Sequence, residues 1–441
     1  MDSCGVLIGI TESPLFHEIS CSRWRPGRSV GPLLFRLGPS YGVVVAAQRP
    51  STNAMDLSFT PAEESFRTEV RETLRRAMPP DLAAKAARYA RFDHADTTRW
   101  HRILHSLGWG AIPWPVEHGG PDLTATERYI LLEELDRAGA PELSPFGLVM
   151  IGPLLQRYGT EAQKTRYLPP IVRAEEHWCQ GYSEPGAGSD LASLRTEAVD
   201  AGDRYVVTGQ KTWTTAAEHA DFIFLLVRTD PKAKKQEGIS FLLVDMKSPG
   251  IEIRPMKAID GTYAFCDTFF DHVEVPKENL LGAPNQGWTL AKSLLGNERN
   301  MPSRVGLCHR ALRRAKSIAR ETLVDGTPLL DDPVVRRRIA RLEVRLTALT
   351  TAKHRVLAEL EAGKPAGPEA SLFKVVGTEL LQDLEALCME LMGLNALSGT
   401  DEAGLLPPTE ETVASWTCYH RAASIYAGSN EIQRTVLARE V

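Results

Sequence analysis

Residues 221–228 read DFIFLLVR and residues 239–245 read ISFLLVD. Each is mostly apolar and of strand length, far short of the ~20 apolar residues that span a bilayer. Around them lie 204–208 (RYVVT), 251–254 (IEIR) and 266–275 (CDTFFDHVEV). These runs are rich in β-branched and aromatic residues, and Gly, Pro, Asp and Lys separate them. That pattern predicts an antiparallel β domain.

Outward from this block the period becomes helical. Upstream, 61–77 (PAEESFRTEVRETLRRA) has Pro at a helix start, acids behind it, and Phe66, Val70 and Leu74 on one face. Helical segments follow at 97–107, 124–138 and 160–173, with Gly119–Gly120–Pro121 as a turn between them. Downstream of Pro276, long amphipathic segments occupy 287–324, 332–362, 368–395 and 411–439. The order is helical, β, helical, without βαβ alternation, which excludes a Rossmann fold and makes the class α+β multidomain. The expected division is an extension over 1–54, a helical domain over 55–176, a β domain over 177–283 and a helical domain over 284–441.

Lys+Arg 51 against Asp+Glu 56 gives a net charge of −5. A mildly acidic chain has no overall field for nucleic acid or an anionic membrane. Arg336, Arg337, Arg338, Arg341 and Arg345 therefore read as a solvated or subunit-facing helix side. The cysteines Cys4, Cys21, Cys179, Cys266, Cys308, Cys388 and Cys418 form no CxxC pair, as expected of free thiols in a reducing cytoplasm. His101 and His105 sit at i, i+4, but without a visible third ligand they read as a solvated face. Lys232, Lys234 and Lys235 read as a solvent-facing loop. Residues 1–54 are rich in Gly, Pro, Ser and Arg. Their apolar stretch is broken by Pro32, Arg36 and Pro39, which does not fit a secretory signal. They are expected to be disordered or untranslated, with the working chain starting at Met55.

Three stretches carry chemistry. In 180–190 (QGYSEPGAGSD), Gly186 and Gly188 permit close backbone approach to a ligand, and exposed N–H groups can form an anion-binding concavity. In 210–215 (QKTWTT), Trp213 can stack on a flat heterocycle while Thr215 bonds its polar edge. In 421–434 (RAASIYAGSNEIQR), Gly428–Ser429–Asn430 reads as a break with an N-cap, and Glu431 opens the last helix. Taken singly, each also fits a plain turn, a core Trp or a helix join.

Together the three resemble the acyl-CoA dehydrogenase family over about Met55 to Val441. LLGNER and IYAGSNEIQR look most like large subunits of the pimeloyl-CoA dehydrogenase type. The resemblance implies an N-terminal helical domain, a middle β domain and a C-terminal four-helix bundle. FAD is then expected between the last two. Gln180, Tyr182, Ser183, Gly188 and Ser189 match residues that hold the flavin ring and pyrophosphate. Trp213 and Thr215 match residues behind the ring, and Ser429 and Glu431 fall in the family's C-terminal cofactor segment. Ser189 and Arg299 are candidates for the CoA side. The implied setting is lipid degradation, with electrons leaving to an electron-transferring flavoprotein or a similar acceptor.

The implied reaction takes a proton from the carbon α to a thioester and a hydride from the β carbon, the hydride going to flavin N5. It needs a base at the α carbon and donors at the thioester oxygen. Many relatives carry the base between Tyr and Gly of the last motif, where this chain has Ala427. Some carry it before an Arg early in the C-terminal domain, where this chain has Gly296–Asn297–Glu298–Arg299. Glu298 is therefore the candidate base. Pro302, four residues on, should kink a helix there. The Ala427 backbone N–H survives the side-chain change and remains the expected thioester donor.

Two departures bear on assembly. Relatives that form homotetramers carry an Arg and a Phe before Gly-x-Pro; here the positions are Thr322 and Asp325. A glutamine and a glycine near the cofactor fall at Glu390 and Leu394. The chain is expected to need a partner, as in an α2β2 assembly with a second chain of the same family, or else to form a homo-oligomer with substitute contacts. A non-catalytic partner subunit and an acyl-CoA oxidase are the alternative readings. The acyl group stays open among fatty, dicarboxylic and steroid side-chain thioesters.

Overall fold

The computed structural model describes the backbone of residues 33–37, 41–45, 58–299, 305–361, 367, 369–397 and 413–439. Side chains of 33–37, 41–45, 295–299, 360–361 and 397 fall outside the described set. The expectation for 1–54 lies almost wholly outside the described residues. Its described part is a pair of antiparallel strands, β1 (Leu33–Leu37) and β2 (Tyr41–Val45), with Leu33 opposite Val45. Residues 59–441 form a separate unit.

That unit opens with α1 (Pro61–Ala77), α2 (Pro80–Ala87), α3 (His94–Ser106) and α4 (Ala125–Ala138). A π-helical turn (Phe146–Ile151), α5 (Gly152–Tyr158) and α6 (Glu161–Val172) follow. Helix starts are fixed locally. Thr60 with Glu63, Asp93 with Asp96, Thr124 with Glu127 and Thr160 with Gln163 form capping boxes that satisfy orphan N–H groups. His101 corrects the sequence expectation. It is buried, not solvated, and one ring nitrogen lies 2.8 Å from the Gly110 carbonyl oxygen.

The middle of the unit holds β3 (Trp178–Gly181), β4 (Glu197–Asp200), β5 (Arg204–Thr215), β6 (Phe222–Arg228), β7 (Ile239–Asp245), β8 (Ile251–Met256) and β9 (Phe265–Pro276). The sheet is antiparallel along β4–β5–β9–β8 and at β6–β7. β3 joins β6 in parallel, and β4 meets β6 in parallel at one bridge. The apolar runs β6 and β7 are buried on both faces, because successive side chains point to opposite sides of the sheet. Phe222, Phe224, Leu226, Phe241 and Leu243 pack with Leu154, Tyr167 and Leu290 from the helices. Ile223, Leu225, Val227, Leu242 and Val244 pack with Tyr205, Val207 and Phe270 of the sheet.

The last part holds α7 (Gly287–Arg299), α8 (Val305–Glu321), a short hairpin of β10 (Leu323–Val324) and β11 (Thr327–Pro328), α9 (Pro333–Glu361), α10 (Glu369–Met392), α11 (Val413–Tyr419) and α12 (Asn430–Leu437). Its core joins Cys308, Leu312 and Ala315 of α8, Ile339, Leu346 and Leu349 of α9, and Leu380, Leu384 and Leu391 of α10. The expected kink at Pro302 lies outside the described residues.

Candidate active site

The first two motifs meet directly. The Thr212 N–H donates to the Ser183 carbonyl at 2.9 Å. Beneath that contact Glu184 and Lys211 form a buried pair, with Nζ 2.8 Å from Oε1. Glu184 also accepts the N–H groups of Arg195 at 2.7 Å and Thr196 at 2.9 Å, and Lys211 donates to the Tyr182 carbonyl at 3.2 Å. Three donor groups, making four bonds, thus satisfy a desolvated carboxylate and its neighbouring carbonyl, which is the condition for a buried ion pair to persist. Burial pulls the Lys211 ammonium down to about 8, against the attraction of Glu184. The lysine and the backbone donors hold Glu184 below the usual carboxylate range even though burial pushes the other way.

The loop above this pair turns tightly, Glu184 and Ala187 exchanging N–H···O bonds at 3.0 Å. Ala187 is buried, while Gly186, Gly188 and Ser189 face outward. A Cβ added at Gly186 or Gly188 would meet nothing within 4 Å, so the loop presents an open side. Gln180 sits on β3 and Tyr182 is buried between Phe224 and Phe241.

Trp213 lies at a bulge in β5. The register with β9 slips by one residue between Lys211 and Thr214, and Trp213 adopts φ 59°. A bulge re-aims a side chain. The ring is 62% exposed and touches Phe265 edge-on, so Trp213 is not a core residue. Thr215 closes the strand, half-buried, opposite Phe265. An outward indole beside an open glycine loop is what a flat heterocycle with an anionic tail requires, so these residues fit FAD.

The third motif is tied to the second through rings. Tyr419 at the end of α11 stacks on Phe265 at 6.4 Å between centroids. Arg91 pins α11 from outside. Its guanidinium donates to Asp260 at 2.8 Å and to Ser415, and it lies 4.3 Å over the Trp416 ring. Beyond α11, Ala427 and Gly428 both take left-handed φ, 55° and 77°. Ser429 caps α12, and Glu431 is exposed in its first turn.

Glu298 and Arg299 end α7. Their side chains fall outside the described residues, so no distance from the candidate base is given. Thr322 precedes the exposed β10–β11 hairpin, and Asp325 lies in its turn at φ 51°. Glu390 pairs with Arg338 of α9 at 2.6 Å, and Leu394 is 84% exposed. Sequence reading overlooked Glu184, Lys211, Arg91, Asp260, Lys374 and Gln433. For the first two a signal existed, since both are charges inside motifs otherwise read for their glycines and aromatics.

The helical, β and helical order, with the three motifs in it, is that of a flavoprotein dehydrogenase of the acyl-CoA type. Family models match in chain order: acyl-CoA dehydrogenase N-terminal domain over residues 60–175, middle domain over 179–273 and C-terminal domain over 285–441. The chain belongs to the acyl-CoA dehydrogenase family, flavin oxidoreductases that use FAD, and is an acyl-CoA dehydrogenase by class. It is 35% identical over 392 residues to acyl-CoA dehydrogenase IpdE1 of Mycobacterium tuberculosis, covering 86% of this chain and 97% of that protein. It is 34% identical over 398 residues to acyl-CoA dehydrogenase FadE26 of the same organism, covering 87% and 97%. Among solved structures it is similar to the Tcur3481-Tcur3483 steroid ACAD, with TM-score 0.77, 30% identity and coverage of 88% and 99%. The ChsE4-ChsE5 complex from Mycobacterium tuberculosis matches with TM-score 0.75, 33% identity and coverage of 88% and 99%. Among the described residues no helix is long and apolar enough to cross a membrane.

Proposed function

We propose that this chain dehydrogenates an acyl-CoA thioester to the trans-2-enoyl-CoA, with Glu298 as base. The reading rests on one observation above the rest: Ser183 and Thr212 are bonded over the Glu184–Lys211 pair, which sets the open glycine loop and the outward Trp213 ring side by side. Gln180, Tyr182, Ser183, Gly188 and Ser189 would hold the cofactor's ring and phosphates, with Trp213 and Thr215 behind the ring and Ser429 and Glu431 on the C-terminal side. FAD supplies the acceptor for the hydride that leaves the β carbon. The Glu298 carboxylate takes the α proton, and the electron pair of that C–H bond becomes the new double bond. The Ala427 N–H donates to the thioester oxygen as negative charge builds there. Ser189 and Arg299 hold the CoA portion.

Glu298→Gln tests the base. The variant keeps its bound flavin but no longer shows acyl-CoA-dependent loss of flavin absorbance. Undiminished bleaching removes Glu298 from the mechanism. The steroid label of a similar structure makes steroid-derived acyl-CoA the first substrate class to assay, before straight-chain and dicarboxylic thioesters.

Electrons would pass to an electron-transferring flavoprotein or a similar acceptor. An α2β2 heterotetramer with a second chain of the family fits the uncharged Thr322, the paired Glu390 and the heteromeric names of the similar structures. A cytoplasmic setting agrees with five cysteines outside any disulfide among the described residues, four of them buried.

A further inference from the structure

Ala427 holds a backbone conformation that alanine disfavours, since an L-residue at positive φ is roughly 1–2 kcal/mol above the right-handed region. Gly428 follows, also left-handed. Two side chains grip the two carbonyls of this turn. Gln433 of α12 donates Nε2–H to the Ala427 carbonyl at 3.0 Å. Lys374 of α10 donates Nζ–H to the Gly428 carbonyl at 2.9 Å and to Asn430 Oδ1 at 2.8 Å.

The Gln433 grip is buried, and the Lys374 grip, though at the surface, is braced by buried Asn430. Gln433 is 1% exposed, and its Oε1 accepts the hydroxyl of buried Ser371 at 2.7 Å, which fixes which end of the amide faces Ala427. Asn430, also buried, exchanges bonds with Thr378 one turn along α10 from Lys374. A carbonyl and the following N–H lie on opposite sides of one planar peptide. The Gln433 and Lys374 bonds hold the two peptides on either side of Gly428, and the Tyr426 N–H, donating to the Ala422 carbonyl at 3.0 Å, holds the peptide before Tyr426; the peptide that carries the Ala427 N–H is thus fixed from both ends. The Ala427 N–H itself meets no acceptor among the described residues.

We infer that Gln433 and Lys374 are positioning residues, holding the Ala427–Gly428 turn so that the Ala427 N–H stays aimed at a substrate oxygen. This rests on the reading of Ala427 as the thioester donor. A donor fixed before the reaction stabilises developing oxyanion charge without reorganising as the charge appears. That need explains why a strained turn is gripped from two helices at a position whose side chain is only a methyl. Loss of either grip lets Ala427 relax toward the right-handed region, and the N–H swings away.

The test uses the FAD-loaded protein, purified with any partner subunit it carries, and 3-thiaoctanoyl-CoA as probe. Loss of the probe's α proton beside oxidised flavin gives a long-wavelength absorbance, and the pH midpoint of that band reports how well the thioester oxygen is stabilised. In Gln433→Leu and Lys374→Met the midpoint rises by a pH unit or more. With acyl-CoA substrate, kcat falls at least tenfold while KM stays within threefold. Lys374→Arg restores most of the effect at that position. A wild-type midpoint in both flavin-loaded variants overturns the inference. Should Gln433→Leu fail to fold, Lys374→Met alone decides by the same midpoint. A wild-type protein that gives no band and no bleaching with any acyl-CoA removes the Ala427 reading itself, and the inference falls with it.

Discussion

Lys211 and Glu184, 27 residues apart in the chain, form one ion pair that no water reaches from the lysine side, where the side chain is 0% exposed. The pair joins the glycine loop to the strand that carries Trp213. Its neighbourhood is charged on one further side, since Arg228 of β6 acts on both members.

Breaking that pair should unseat the loop. Lys211→Met leaves a buried carboxylate with no cation, which typically destabilises by about 3–5 kcal/mol. The purified variant is expected to carry little FAD, read as the ratio of flavin to protein absorbance, and to unfold at lower temperature. Wild-type values for both would mean that the pair has no part in seating the loop.

Glu184→Gln strands the cation, and its defect should depend on pH. The Lys211 proton is already held weakly, near pH 8, and without Glu184 it is held more weakly still. The unfolded chain keeps that proton to about the ordinary lysine value of 10.5. Stability of the variant therefore rises with pH across this window. The melting gap to wild type should narrow between pH 7 and pH 9, measured by differential scanning calorimetry. A gap that widens would contradict the assignment.

Trp213→Ala removes an outward ring that meets Phe265 edge-on. The fold should hold its melting temperature, while affinity for FAD falls by roughly 3–10-fold, the scale of one aromatic stacking contact. Titrating apoprotein with FAD by fluorescence measures it, and Trp213→Phe should recover part of the loss.

Acid should loosen the seam between α3 and the sheet. His94 stacks on His219 at 4.5 Å and meets His177 edge-on at 4.4 Å, with Thr98 between the rings of His94 and His177. Burial, then the His94 charge, pushes His177 down to about 4, against the pull of Asp221; His101 and Arg102 oppose its protonation too. The unfolded state takes up this proton first on acidification, so the stability present above about pH 6.5 is lost as pH falls toward 4. The melting temperature of wild type should drop from pH 7 to pH 5, and His177→Gln should flatten that slope.

Expressed alone, the chain should bind FAD in less than one copy per subunit, because Thr322 and Glu390 replace groups that relatives turn toward a neighbour's cofactor. Sedimentation with flavin quantitation decides. A stable homotetramer holding four FAD would end the case for a partner.

The sequence by itself determined whatever depends on local chemistry. Capping boxes such as Thr60 with Glu63 start helices wherever they occur, and the apolar runs of β6 and β7 have to be buried on both faces. The helical–β–helical order and the three motif positions follow from the same short-range signals. Strands as short as β3 and β4 escaped notice, because four residues are too few to show a period. Only tertiary structure decided that Lys211 finds Glu184, that a one-residue register slip turns Trp213 outward, that Glu390 is answered by Arg338, that His101 is buried against the Gly110 carbonyl, and that Gln433 and Lys374 close on the Ala427–Gly428 turn. Each of these joins residues from elements whose relative placement is set by packing, and packing distances are not written in any short stretch of chain.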